Sequence, residues 1–207
     1  MQAPAIGTTM ITSLPYAITA SGDYLLKSDL TYAGPNAAIK VDASNVSINL
    51  NGFSITNTGT GLYGVILETG TNLVVRNGTI AGFTGGVVLG GPQSKLANLQ
   101  LLNNFYGVVA PSDDCSIQEC LIVGTGSGSG NGIFLSGSGV LVKSNQISEF
   151  QNGVSSSGKS AFVNNYIANS AVGLNLSTSD YYQGNIATNC TTPFSGGNAI
   201  GTENGGS

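Results

Sequence analysis

The chain has 207 residues, of which 41% are hydrophobic, only 8% are charged and 31 are glycines. This composition argues against a disordered chain, which carries more charge and fewer branched apolar residues, and against a coiled coil. The net charge of −4 and six scattered lysines and arginines argue against nucleic-acid binding, which needs clustered cations to neutralise phosphates. One domain built from many short strands and tight turns fits the composition best.

The first 36 residues do not follow the pattern of the rest of the chain. They contain two short apolar runs that are interrupted at residues 21–23 (SGD). We interpret residues 1–36 as strands that cap a repeat array, because the end of such an array exposes both core and sheet edge. The first nine residues lack the basic and apolar segments of a signal peptide. We therefore expect no leader in this sequence, and we favour an exported protein whose leader has been replaced.

Residues 37–192 repeat a short layout in which a glycine precedes an apolar, mostly branched residue. The marked glycines recur every 20 to 25 residues and are Gly64, Gly86, Gly107, Gly132, Gly153 and Gly173. The longest step contains a Gly/Ser-rich insertion at residues 124–130. A repeat of this length, carried by short apolar runs and Gly, Asn and Ser punctuation, is typical of a solenoid.

Each repeat contains three apolar positions in alternating stretches, which predicts three short strands per turn. One predicted inward column runs from Val75 to Tyr181, a second from Ile80 to Ile186, and a third from Val65 to Leu174. Glycine, serine and asparagine between the strands leave no helical face. The sequence therefore predicts an all-β, single-domain parallel β-solenoid of about seven turns.

Asparagine-glycine pairs at residues 51–52 and 77–78 mark either a hairpin or a corner of the coil. We favour a corner, since later repeats lack the glycine. The corner positions are expected to stack their side chains along the axis and to hydrogen-bond there. These positions are Asn77, Asn98, Glu119, Ser144, Asn164 and Gln183.

Four stretches carry a resemblance to a known family: residues 13–16 (SLPY), 22–26 (GDYLL), 45–53 (NVSINLNGF) and 75–83 (VRNGTIAGF). The chain resembles right-handed parallel β-helix proteins of the pectate-lyase-like superfamily, especially the NosD-like group. The resemblance implies a right-handed coil but no single activity, because the superfamily includes lyases, hydrolases, epimerases, phage tailspikes and proteins without a known reaction.

NosD-like proteins are associated with copper delivery. With no histidine and with methionine only at Met1 and Met10, we expect neither a metal site nor a cofactor.

The resemblance also implies an enzymatic alternative, a polysaccharide lyase or glycoside hydrolase acting on an extracellular glycan. Lyases of this fold use acidic residues that hold calcium and an Arg or Lys as base; the candidates are Asp113, Asp114, Glu119, Arg76 and Lys143. Arg76 and Lys143 are predicted to share an outward column three turns apart. A hydrolase needs a carboxyl pair at a defined separation, which only Asp113 or Asp114 with Glu119 could supply. We favour an ordinary solvated loop for the two aspartates.

An uncharged feature is more informative. Between the two inward positions of the strand after each marked glycine, one residue is expected to point outward. In four consecutive repeats it is apolar (Ile66, Val88, Val109 and Phe134), before Ser155 and Asn175 follow. A soluble rod with such an apolar stripe needs a partner. We expect self-association, as a trimer or as paired rods; the alternatives are a terminal segment (190–207 or 11–32) folded across the stripe, or an apolar or sugar ligand.

Tyr106, Tyr166 and Tyr182 are candidates for a glycan-binding face, because aromatic rings stack on sugars, although tyrosine is also an ordinary strand residue.

Three cysteines cannot form a complete disulfide framework, and we interpret them as buried small hydrophobes. No apolar run reaches the ~20 residues that a membrane span needs.

Together these features predict a non-catalytic, rigid structural or glycan-contacting module. We expect it outside the cell, in the periplasm or on a virion surface, with itself or a polysaccharide as partner. Residues 193–207 are interpreted as a C-terminal cap or tail.

Overall fold

The structure is a computed structural model and describes residues 7–207. These residues form only β-strands, turns and loops. The strands are β1 (Thr9–Ile11), β2 (Tyr16–Ile18), β3 (Gly22–Leu26), β4 (Leu30–Tyr32), β5 (Ala37–Asp42), β6 (Val46–Asn49), β7 (Ser54–Asn57), β8 (Tyr63–Thr69), β9 (Leu73–Ala81), β10 (Gly85–Leu89), β11 (Lys95–Leu102), β12 (Tyr106–Ala110), β13 (Ser116–Gln118), β14 (Leu121–Val123), β15 (Asn131–Leu135), β16 (Leu141–Lys143), β17 (Gln146–Ser148), β18 (Asn152–Ser156), β19 (Ala161–Val163), β20 (Tyr166–Ala168), β21 (Val172–Asn175), β22 (Tyr181–Gln183), β23 (Ile186–Thr188), β24 (Thr192–Ser195), β25 (Asn198–Ala199) and β26 (Gly205–Gly206).

The strands pair in parallel throughout the described chain and form two sheets. A nine-stranded sheet takes one strand from each turn, in the order β2-β5-β8-β10-β12-β15-β18-β21-β24. A seventeen-stranded sheet supplies the other two strand positions of each turn, and β9 and β11 each run through both positions. Three strands per turn and the all-β class are thus confirmed. At ~4.8 Å per strand, nine strands span about 38 Å along the axis.

The predicted count of about seven turns is too low, because both ends of the chain also coil. Within the described part of residues 1–36, β1 pairs with β3, β2 with β5 and β4 with β7. The predicted cap strands are therefore the first turns of the solenoid, while residues 1–6 of that segment lie outside the described residues. At the other end, β24, β25 and β26 continue the same ladders.

The inward columns form one continuous core, with a register correction in the turn that contains β22 and β23. Val87 lies beside Val108, and Leu96 beside Ile117, as predicted. Phe162 pairs with Tyr182, however, and Ile167 with Ala187. The predicted members Tyr181 and Ile186 instead point outward and are 45% and 46% exposed. The corner of this turn is Gly184 at φ 64°, one residue after the predicted Gln183.

The marked glycines line a position where strands of adjacent sheets approach closely. A Cβ atom built on Gly132 would lie 2.5 Å from the carbonyl oxygen of Gly153 and 2.5 Å from Cγ2 of Ile147. The same two contacts recur at Gly107 and Gly153. The repeat in the sequence therefore records a steric requirement of the packed interior.

The predicted corners are corners, with left-handed backbone conformations at Asn77, Asn98, Glu119, Ser144 and Asn164. The principal ladder of stacked amides begins one residue later, inside the coil, which corrects the prediction. Oδ1 of Asn165 accepts hydrogen bonds from the backbone N (3.0 Å) and Nδ2 (3.0 Å) of Asn145, and Asn185 repeats this arrangement on Asn165. Each Nδ2 also donates to a backbone carbonyl of an adjacent turn, for example from Asn165 to Val142 (2.9 Å).

Cys115, Cys120 and Cys190 are free and buried, as the sequence predicts. Burial raises the pKa of the Cys120 thiol to about 11. No helix of residues 7–207 is long and apolar enough to cross a membrane.

Cys120 should therefore react very slowly with iodoacetamide in the folded protein near pH 8. A thiol with this pKa is only about one part in a thousand thiolate at that pH, and the thiolate is the reactive form. Because the folded-state pKa is raised, labelling should accelerate only as the pH approaches 11, whereas urea-unfolded protein should react readily near pH 8. Mass spectrometry of labelled peptides measures both rates; rapid labelling of folded Cys120 near pH 8 would contradict the burial.

Candidate functional site on the outer face of the nine-stranded sheet

The predicted apolar stripe exists as one straight column on the outer face of the nine-stranded sheet. Ile66 pairs with Val88, Val88 with Val109, and Val109 with Phe134. The polar residues that follow, Ser155 and Asn175, continue the same column. Phe134 is 36% exposed, and the other three side chains are partly exposed. The alternation of inward and outward residues in these strands places the stripe on the surface.

Two aromatic residues widen this apolar surface beyond the predicted stripe. The ring of Tyr106, in the adjacent outward column, lies 6.2 Å from the ring of Phe134. Phe105 packs edge-on against Tyr106 at 4.8 Å and is 45% exposed. The patch therefore extends sideways toward the loops that enter the sheet.

The two terminal segments that could cover the apolar stripe lie elsewhere in the fold. Within residues 11–32, β2 is the first strand of this sheet, and β3 and β4 belong to the other sheet. Within residues 190–207, β24 is the last strand of this sheet, and β25 and β26 also belong to the other. The described parts of both segments thus extend the two ends of the coil and do not cross the stripe.

A charged cluster lies at the N-terminal end of the stripe, and it was not anticipated from the sequence. Lys40 occupies the stripe's column one turn before Ile66. Its Nζ lies 3.3 Å from Oδ2 of Asp42 and 2.7 Å from Oε2 of Glu68. Hydrogen bonds to Glu68 and Asp42 raise the pKa of the Lys40 ammonium, which therefore stays charged. These are the two ion pairs found within residues 7–207.

A depression of ≈ 460 Å³ opens beside this cluster. Ala17 and Ala37 occupy outward positions in β2 and β5, and their small side chains leave this space open. The residues paired with them in the following turn are larger, because Ala17 pairs with Lys40 and Ala37 with Tyr63. The lining is formed by Pro15, Tyr16, Ala17, Tyr32, Asn36, Ala37, Lys40, Leu62, Tyr63 and Glu68. Lys40 and Glu68 keep 43% and 44% of their side chains exposed, so the polar end of the depression is open to solvent.

The residues proposed for the enzymatic alternative are spread over the coil. Arg76 and Lys143 share one outward column three turns apart, with Ala97 and Gln118 between them, as predicted. Asp113 and Asp114 precede β13, whereas Glu119 follows it at the next corner. Asp114 and Glu119 are five residue steps apart, which corresponds to roughly 16 Å of extended chain.

The Asp113–Asp114 loop also has a structural role. Oδ1 of Asp113 accepts a hydrogen bond from the backbone N of Ser138 at 2.8 Å, and Asp114 has φ 56° at a corner. Within the described chain, no three His, Cys, Asp or Glu side chains are grouped as metal ligands.

The three candidate glycan-binding tyrosines lie on different surfaces. Tyr106 is on the outer face of the nine-stranded sheet, whereas Tyr166 is exposed on the seventeen-stranded sheet and contacts Thr188 through its hydroxyl at 2.9 Å. Tyr182 points inward and stacks on Phe194 with ring centroids 5.3 Å apart. The structure therefore does not bring these three residues together.

The coil of three parallel strands per turn, with its glycine column and asparagine ladder, defines a parallel β-helix protein. The sequence profile of the family described as "Right handed beta helix region" matches residues 18–172. The chain belongs to this family. A comparison with curated protein sequences found no match.

Solved structures similar to this chain include a complex with xylose and a phage tailspike. One is the complex of XylC with xylose, with a TM-score of 0.62 and 14% sequence identity over 89% of this chain. The other is tailspike protein gp49 of Acinetobacter baumannii bacteriophage Fri1, a capsular polysaccharide depolymerase, with a TM-score of 0.48 and 9% identity over 89% of this chain. The chain spans only 38% and 48% of those two chains. At 14% identity the similarity to XylC concerns the fold alone.

Proposed function

We propose that this protein is a non-catalytic β-helix that serves as a rigid, glycan-contacting structural module of an exported or virion-surface assembly and self-associates through the apolar stripe. The observation that carries the proposal is the register that aligns Ile66, Val88, Val109 and Phe134 on one exposed line. Soluble proteins rarely leave a contiguous apolar patch in water unless it meets a partner. A second copy of the same chain is the commonest such partner among soluble proteins.

Rigidity follows from the core and from the buried asparagine ladder. Each turn packs against the next through continuous columns of buried side chains, and the asparagine ladder hydrogen-bonds successive turns. A rod of this kind holds a surface in fixed geometry, which suits a scaffold or a glycan-contacting face. The xylose bound in the XylC structure supports saccharides as the ligand class to test first.

We expect Val109→Asp to lower the solution mass of the protein while its circular dichroism spectrum stays β-rich. Val109 is partly exposed at the centre of the stripe, so the carboxylate can be hydrated in the monomer but would be buried against a second copy. Multi-angle light scattering after gel filtration measures the mass.

Ser155→Asp is the matched control, because Ser155 occupies the same outward column one turn beyond Phe134 and is already polar. Its mass should equal that of the wild type. A monomeric mass for wild type and Val109→Asp alike would overturn self-association. Turnover of a polysaccharide by the wild type that Asp114→Ala abolishes would overturn the non-catalytic assignment.

A further inference from the structure

We infer that the depression at the N-terminal end of the nine-stranded sheet binds a neutral saccharide, with the sugar ring against Tyr63 and its hydroxyls on Lys40 and Glu68. The inference deepens the glycan contact in the proposed function and rests on it. It is independent of self-association through the apolar stripe.

The shape of the depression fits a small ligand. Its volume of ≈ 460 Å³ lies within the range of about 300 to 1,000 Å³ that small-molecule sites occupy. Apolar side chains dominate the lining, and its two charged side chains, Lys40 and Glu68, lie together. Sites for amphipathic ligands combine an apolar wall with a few placed polar groups in this way.

Tyr63 supplies a fixed aromatic surface. It lies in the same outward column as Gly85, and a Cβ atom at position 85 would come within 3.0 Å of Cδ1 of the tyrosine ring. The missing side chain at Gly85 thus makes room for the ring, which is held against the sheet at the edge of the depression. A ring that is already positioned loses little conformational freedom when a sugar stacks on it.

The charged cluster supplies both donors and acceptors. The ammonium group of Lys40 can donate to a sugar hydroxyl, and the carboxylate of Glu68, which also lines the depression, can accept from a neighbouring hydroxyl. Vicinal hydroxyls, which donate and accept, match such a set. Hydrogen bonds that involve charged groups are also stronger than neutral ones.

The charge of the cluster decides which sugars fit. One ammonium and two carboxylates leave a net charge of −1 beside the depression, so a uronate or another anionic sugar would be repelled. A neutral sugar meets no such penalty. A peptide or a second copy of the chain could also use an apolar hollow, but neither requires the close donor and acceptor set found here.

The test uses xylotetraose, cellotetraose, maltotetraose and mannotetraose as neutral probes and tetragalacturonate as the anionic probe. Saturation-transfer NMR identifies binding, and isothermal titration calorimetry on the full chain gives the dissociation constants. At least one neutral probe should bind, and tetragalacturonate should bind at least tenfold more weakly. Tyr63→Ala should weaken the binding of the neutral probe at least tenfold. Glu68→Gln should reduce the difference in affinity between the neutral probe and tetragalacturonate, because it removes one negative charge.

Tyr181→Ala is the control, because Tyr181 is 45% exposed on the seventeen-stranded sheet and lies outside both the depression and the apolar stripe. It should change the affinity less than twofold. Failure of all four neutral probes to bind would overturn the inference, as would an equal loss in Tyr181→Ala, which would show that the loss in Tyr63→Ala is not specific to the depression. The solution masses of the wild type and of Val109→Asp test self-association separately, so a failure of the saccharide inference can be distinguished from a failure of the proposed function.

Discussion

Replacing Asn165 with leucine should lower the free energy of unfolding by at least ~3 kcal/mol. The side chain is buried and makes four hydrogen bonds: it accepts from the backbone N and Nδ2 of Asn145, and it donates to the carbonyl of Val142 and to Oδ1 of Asn185. Leucine would leave these partners unpaired inside the coil, at about 1 to 3 kcal/mol for each buried group. Its apolar side chain would offset part of this loss.

Equilibrium urea denaturation followed by circular dichroism measures the change. The neighbouring variant Asn164→Gly is a sensitive control, since Asn164 is exposed and has φ 54°, a conformation that glycine adopts without strain. The next turn already has a glycine at this corner, Gly184. Asn164→Gly should shift stability by less than ~0.5 kcal/mol. Equal stability of Asn165→Leu and wild type would show that the ladder does not hold the turns together.

Gly132→Val should be at least as damaging and should reduce the yield of soluble protein. The added Cβ alone would approach a backbone oxygen and a buried methyl group at 2.5 Å each, and Cδ2 of Phe150 at 3.2 Å, before the two further methyl groups are added. Overpacking a well-filled interior typically costs about 1 to 3 kcal/mol, and here one colliding atom belongs to the backbone of the next turn. We therefore expect a loss near or above ~3 kcal/mol.

Gly128→Val provides the comparison, because a Cβ atom on Gly128 has no neighbour within 4 Å. Both glycines lie within five residues of each other, so the variants differ chiefly in packing. Thermal denaturation and soluble yield should distinguish them clearly. If Gly132→Val melted at the temperature of Gly128→Val, the close approach between turns would be wrong.

The body of the fold is predictable because one physical requirement repeats every turn. A glycine at Gly107 or Gly132 is needed for close approach, and alternating apolar residues are needed for the core, so both appear at regular steps. The first turns lack the glycine mark, which explains the low turn count. In the turn that contains β22 and β23, Tyr181 beside Tyr182 and Ile186 beside Ala187 offer two apolar residues in succession. Alternation cannot select the inward member of such a pair.

The apolar stripe and the charged cluster also differ in how well the sequence predicts them. The apolar stripe follows from alternation alone, and its residues lie where the sequence predicts. The charged cluster depends on the pairing of β5 with β8, which shifts register between Val41 and Asp42. This irregularity pairs Asp42 with Thr69 and leaves Glu68 free to meet Lys40. No repeat in the sequence signals this register shift. The sequence also predicts residues 1–36, some of which line the depression, to be a cap.

Proximity in sequence was also a poor guide to the acidic candidates. Asp114 and Glu119 are five positions apart, yet β13 runs straight between them and places them at successive corners of one turn. In a strand, nearby positions are separated in space by ~3.3 Å per residue, whereas positions one whole turn apart are neighbours. A solenoid site is therefore assembled from residues some 20 to 28 positions apart.

The measurement that tests the proposed function most directly is sedimentation equilibrium of the wild-type protein over a range of concentrations. Burial of the apolar stripe against a second copy predicts a weight-average mass that rises with concentration toward a whole multiple of the monomer. A monomer mass at every concentration would contradict the central claim that the outer face of the nine-stranded sheet is a surface for self-association.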